Sequence, residues 1–143
     1  MQMSTGEKTI LFVCIENAGR SQMAEGFFNN RYRPKGYRAI SAGTRPALQI
    51  NPVAIQAMKE VGIDIGSQKS KIITKDMIRA SDRAVNMGCM DKSECPVLFM
   101  EDVIEWGIED PKGKPIEKMR QIRDDIEQRV KEIAESLEKS PHI

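Results

Sequence analysis

Val13-Cys14-Ile15-Glu16-Asn17-Ala18-Gly19-Arg20-Ser21 is the stretch that decides the fold of this chain. It follows the apolar run Thr9-Ile10-Leu11-Phe12 and precedes a helix-like segment opening Gln22-Met23-Ala24-Glu25. A strand, a tight loop and a helix in that order make an oxyanion cradle. Such a loop aims several backbone N–H groups at one point, and the helix dipole adds positive charge there. The candidate anion-binding residues are Ile15, Glu16, Asn17, Ala18, Gly19 and Arg20, with Arg20 able to grip a tetrahedral anion through paired hydrogen bonds. The same field favours a thiolate, which makes Cys14 the candidate nucleophile. Gly19 allows close backbone approach, and Asn17 tolerates a left-handed conformation. Ser21 is placed either to donate its hydroxyl to the sulfur or to cap the helix. Treating Cys14 as a small buried hydrophobe at a strand end leaves the polar loop and its Arg-Ser end unexplained.

Outward from this stretch, strands and helices alternate. Lys8 to Val13 reads as a buried first strand, and Ser21 to about Asn30 as a helix stopped by Asn29-Asn30 and Pro34-Lys35-Gly36. Tyr37-Arg38-Ala39-Ile40 is a second strand leading into Ser41-Ala42-Gly43. Asn51 caps a helix with Pro52 at its first position; it is expected to bury Val53, Ile55, Ala57, Met58 and Val61 before Gly62 stops it. Thr74 opens a short helix, Ala84 to Met87 is a third strand, and Val97 to Met100 a fourth. Between the last two lies a polar loop carrying Cys89 and Cys95, and Gly107 to Lys114 is a loop containing Asp110-Pro111. The final helix, from Pro115, carries Ile116, Met119, Ile122, Ile126, Val130, Ile133 and Leu137 on one face, as a helix packed on a sheet requires. The expected fold is α/β, a parallel sheet with helices on both faces and its ligand at the carboxyl ends of the strands. Cys14, Cys89 and Asp110 all follow predicted strands.

Bulk properties narrow the function. The 143 residues are expected to form one domain over 1–143. A net charge of +1 offers no basic face for nucleic acid. No apolar run reaches membrane-spanning length and the N-terminus has no signal core, so a cytoplasmic location is expected. There, three cysteines suggest catalysis or metal binding rather than structural disulfides. With His142 the sole histidine, no metal site and no cofactor are expected.

Cys14-x5-Arg20-Ser21 after an N-terminal strand resembles the signature of the low-molecular-weight tyrosine phosphatase fold. The longer string Val13 to Gly26 is more similar still to the arsenate reductases built on that fold, of the thioredoxin-coupled type. The resemblance continues through Ser41-Ala42-Gly43-Thr44, Asn51-Pro52 to Asp64, Cys95-Pro96, Trp106 and Asp110-Pro111. It implies a three-layer sandwich around a four-stranded parallel sheet. It also implies that Asp110 is a general acid protonating the leaving oxygen, although Asp-Pro is by itself an ordinary turn signal.

On that resemblance, Cys14 attacks arsenate, Cys89 attacks Cys14 and releases arsenite, and Cys95 attacks Cys89, leaving a disulfide for a thioredoxin-like reductant. Arsenic detoxification is the implied role, with phosphate or sulfate as competing anions. The interval from Cys89 to Cys95 is slightly shorter than in the best-known thioredoxin-coupled members, which leaves the order of attack open. Two alternatives share the layout: a phosphatase using Cys14, Arg20 and Asp110, and a phosphocysteine carrier domain, which needs no general acid. Phosphatases of the fold typically follow Asp-Pro with tyrosines, where this chain has Lys112-Gly113. They also usually have glycine at the position of Glu16, whose carboxylate would repel an anion unless it points outward. Thioredoxin-coupled members hold potassium beneath the loop with Asn, Glu, Ser and Asp. Asn17, Glu25 and Ser41 match, whereas Lys71 stands for the Asp and is expected to supply the cationic charge itself.

Overall fold

In the computed structural model, which describes residues 8–88 and 103–139, the sheet grows on both sides of β1 (Lys8–Cys14). β1 pairs in parallel with β2 (Tyr37–Gly43) on one side and β3 (Arg83–Asn86) on the other; β4 (Ile104–Glu105) pairs with β3, giving the order β2-β1-β3-β4. A central parallel strand is buried on both faces, so its sequence is almost continuously apolar. Ile10, Phe12 and Cys14 face one layer, Leu11 and Val13 the other. The register sets Cys14 opposite Gly43 and Val13 opposite Asn86, gathering the strand ends at one edge of the sheet.

The first layer holds α1 (Arg20–Tyr32), α2 (Pro52–Lys59) and α4 (Ile116–Lys139), whose apolar faces join Ile10, Phe12 and Val85 in the main core. Phe12 packs against Phe28 and Trp106, with ring centroids 6.1 and 5.7 Å apart. The second layer holds the short α3 (Lys75–Arg79), whose Met77 and Ile78 pack over Leu11, Val13, Ala42 and Ala84. The three-layer α/β sandwich is therefore as the sequence implies. The helix stripe expected on α4 is buried from Met119 to Leu137, with Ile116 packed at its margin.

Asn51 accepts the Val53 N–H at 2.9 Å, so the expected cap forms, and Thr74, where the short helix is expected to open, caps it by accepting the Met77 N–H. Of the residues α2 is expected to bury, Ala57 and Met58 are buried, Val53 and Ile55 are only partly buried against the core, and Val61 is corrected. Val61 is 36% exposed, and Ile63 enters the core in its place. α2 ends at Lys59, and Gly62 turns left-handed with φ 82°, which reverses the chain between the two positions. The fourth strand expected at 97–100 lies outside the described residues; the strand that completes the described sheet, Ile104–Glu105, was not anticipated. Two residues with one apolar side chain carry no periodicity to read.

α2 is tied to α4 by Glu60, which accepts from Arg120 at 2.7 and 3.0 Å and from Arg123 at 2.9 Å. Arg123, itself buried, also donates to the Ala57 carbonyl in the last turn of α2. The hydrogen bond from Arg120 foremost, then that from Arg123, holds the Glu60 carboxyl down at about 2. A depressed carboxyl adds stability that is full above its unfolded value of 4.5 and disappears as pH falls towards 2. Glu60→Gln is expected to lower Tm at pH 7, with the difference from the parent closing across that acid window in a melting series.

Candidate active site

β1 ends at Cys14, 2% exposed, and the chain curls through residues 15–19 before α1 begins at Arg20. Asn17 has φ 52°, the sole non-glycine in the left-handed region among the described residues. Three loop carbonyls are held by backbone donors: Arg45 N–H donates to Ile15 O, Ala47 N–H to Glu16 O and Asn51 N–H to Ala18 O, at 2.8 to 2.9 Å. Each peptide is planar and trans, so the N–H groups of Glu16, Asn17 and Gly19 point opposite to those carbonyls. The Asn17 N–H does reach Cys14 Sγ, at 3.2 Å. β2 passes close behind this loop. A Cβ on Gly43 would lie 2.4 Å from Ile15 O, so only glycine fits there.

Beneath the loop, proton positions follow from one unambiguous donor. The Lys71 backbone N–H bonds Asn17 Oδ1 at 2.8 Å, which fixes the amide and aims its NH₂ at Ser21 Oγ (2.7 Å) and Ser41 Oγ (3.0 Å). Ser21 Oγ, which accepts from Asn17, also shares a hydrogen bond with Cys14 Sγ at 2.9 Å, and its hydroxyl is the donor there when the sulfur is a thiolate. Ser41 likewise donates to Glu25 Oε1 at 2.6 Å. Of the two roles open to Ser21, it takes the sulfur; α1 has no side-chain cap. Glu25 in turn faces Lys71 Nζ at 3.8 Å, and that ammonium also donates to Lys69 O at 2.7 Å. The four residues expected to support the loop, Asn17, Glu25, Ser41 and Lys71, thus form one network running from the sulfur to an ammonium.

Arg20 is 7% exposed and held from behind: Nη1 donates to Met87 O at 2.7 Å and to Ile108 O at 3.1 Å. A Cβ on Gly88 would meet that guanidinium at 2.6 Å. Its other nitrogen, Nη2, stands 3.8 Å from Asp110 Oδ2. Asp110, with 60% of its side chain exposed, accepts the Lys112 N–H on its second oxygen at 3.0 Å, an Asx turn that aims the carboxylate. Cys14, Arg20 and Asp110 line one cleft of about 390 Å³, together with Ile15, Glu16, Ala18 and Gly19 of the loop. Ile50 and Pro52 form its apolar side. Glu16 stands at the rim, where Lys112 Nζ meets its carboxylate at 2.8 Å. Cys89 and Cys95 lie outside the described residues. Among the described residues, no cluster of His, Cys, Asp and Glu is placed to hold a metal ion.

Sequence reading missed two glutamines. Gln22 is fully buried; its amide nitrogen donates to Asn17 O and Oδ1 and to Lys69 O, while Gln68 Nε2 donates to Gln22 Oε1 at 2.7 Å. A glutamine in the first turn of a helix gives no hint of a partner 46 residues on. Lys112 was noted only as the residue standing where an aromatic wall was absent.

The model of the low-molecular-weight phosphotyrosine protein phosphatase family matches residues 9–142. An arsenate reductase of Brevibacillus brevis is 39% identical over 133 residues, covering 92% of this chain and 98% of the relative. Among solved structures, an arsenate reductase in a phosphate-binding state superposes with TM-score 0.79 at 34% identity, covering 88% of this chain and 95% of its own. A thioredoxin-dependent arsenate reductase of Corynebacterium glutamicum gives the same TM-score, 0.79, at 33% identity, covering 95% of this chain and 64% of its own. With likeness along nearly its whole length, the chain belongs to the low-molecular-weight phosphotyrosine protein phosphatase family, among its arsenate reductases.

Proposed function

We propose that this chain reduces arsenate to arsenite in arsenic detoxification, with Cys14 as the nucleophile. The observation that carries the reading is the setting of Cys14 Sγ, between the Ser21 hydroxyl at 2.9 Å and the Asn17 N–H at 3.2 Å, on a cleft shared with Arg20 and Asp110. Both groups can donate a hydrogen bond to a thiolate at that position, as a nucleophilic cysteine requires. Arg20, backed by two carbonyls, presents its remaining N–H groups to the oxyanion, and the loop N–H groups complete the cradle.

In the first step the Cys14 thiolate forms an S–As bond, and an arsenate oxygen leaves as water after taking a proton from Asp110. Cys89 then attacks Cys14 Sγ. The new S–S bond takes two electrons' worth of oxidation, the S–As bond breaks with its electron pair on arsenic, and arsenite departs. Cys95 next attacks Cys89, freeing Cys14, and a thioredoxin-type dithiol reduces the resulting Cys89–Cys95 disulfide. The likeness to a thioredoxin-dependent reductase supports that reductant. Phosphate and sulfate, of the same shape and charge class, compete for the cradle, and a cytoplasmic setting suits a relay that must be re-reduced. No helix among the described residues is long and apolar enough to cross a membrane.

Reduced protein mixed with arsenate in the absence of other thiols is expected to lose two thiols for each arsenite released. Intact thiols alongside hydrolysis of a phosphate ester would make the chain a phosphatase, and a persistent phosphocysteine would make it a carrier. Ser21→Ala removes the hydroxyl donor from the sulfur; single-turnover reduction is expected to slow about tenfold or more while anion binding changes little. If the Lys71 ammonium supplies the charge beneath the loop, turnover is indifferent to potassium, and Lys71→Asp acquires activation by it. Strong potassium activation of the parent chain would sink that role.

A further inference from the structure

Glu16 is an unexpected member of a loop built to bind anions, since its carboxylate stands on the rim of the cleft. Its partner comes from the far end of the chain. Lys112, 96 residues on, places Nζ 2.8 Å from Glu16 Oε2. The same lysine donates its backbone N–H to Asp110 Oδ1 at 3.0 Å, and Pro111 between them packs 3.1 Å from where a Cβ on Gly19 would stand. The segment carrying the acid therefore lies against the anion loop, with the ion pair bridging them.

We propose that Lys112 is a specificity-determining positioning residue: its ammonium masks Glu16, so that a small multiply charged oxyanion meets a neutral rim. This rests on the oxyanion reading of the cleft proposed above. Four charged side chains line the cleft, Arg20 and Lys112 against Glu16 and Asp110. Without Lys112 one cation would face two carboxylates at a site that must take an anion. The pair is no staple for the fold, since the side chains are 70% and 38% exposed and such pairs contribute little to stability. Its effect is local and electrostatic. The pairing also holds the Lys112 proton more tightly than usual, through the hydrogen bond to Glu16 first and its charge second, so the mask persists through neutral pH.

The probe is inorganic phosphate, titrated calorimetrically into the reduced full-length chain. Lys112→Met keeps the aliphatic stem and the backbone N–H but loses the charge; it is expected to weaken phosphate about fivefold at low ionic strength, and less in high salt. Glu16→Gln/Lys112→Met is expected to bind within about twofold of the parent, because the carboxylate that needed masking is gone. Lys112→Arg is expected to bind like the parent. The KM for arsenate follows the same order, with kcat nearly constant because Asp110 keeps its backbone donor. Unchanged binding in Lys112→Met, or a double variant as weak as the single one, would overturn the masking role and leave the anion site standing. A parent chain that binds no phosphate would remove the anion site itself, and the mask with it.

Discussion

The left-handed backbone of Asn17 is the constraint on which the rest of the site depends. At φ 52° it reverses the chain between strand and helix, and it turns its own N–H onto the Cys14 sulfur. An asparagine held in that conformation costs free energy unless its surroundings repay it. Here they do: its side chain bonds Ser21, Ser41, Gln22 and the Lys71 backbone, and its carbonyl takes a further donor from Gln22. Every polar atom of the amide is used within a buried setting, where an unmade bond would be expensive. Strain at one residue is thus stabilised by contacts reaching β2, α1 and the segment at 68–71.

The same network gives the site a direction. A backbone N–H fixes the orientation of Asn17, the Ser41 hydroxyl donates to Glu25, and the Ser21 hydroxyl stands ready to donate to a thiolate at Cys14. The dipoles beneath the loop are in place before any anion arrives, so little reorganisation accompanies the appearance of charge on sulfur. Glu25 would otherwise be a lone carboxylate, 13% exposed at its side chain; the nearby Lys71 ammonium balances it. A partly buried acid is more tolerable with a cation beside it and the Ser41 hydroxyl donating to it.

Much of this was legible in the residues. The Cys14 to Ser21 string carries its own physics, and Asn51-Pro52 and Thr74 announce helix starts because a cap is a local event. What escaped reading was non-local. Gln68 reaches Gln22, Arg123 reaches Ala57, and Lys112 reaches Glu16 across long stretches of chain, and nothing in the spacing of such pairs marks them. Val61 misled for a related reason: it continues the apolar helical pattern, but the turn at Gly62 decides which side of the chain faces inward. The two-residue β4 exists because β3 offers it an edge, a property of the sheet rather than of Ile104-Glu105.

Arg20 holds a consequence of another kind. Its guanidinium is anchored on Met87 O, just past β3, and on Ile108 O, beyond β4, while its backbone begins α1. The setting of the Arg20 guanidinium is therefore complete only when three separate segments have met. An oxyanion that engages Arg20 selects the complete sheet over every state in which a strand end has opened. Saturating anion should accordingly protect the carboxyl edge of the whole sheet, not the loop alone, from local opening. In the role proposed for it, Arg20 would at the same time sense whether the fold around it is finished.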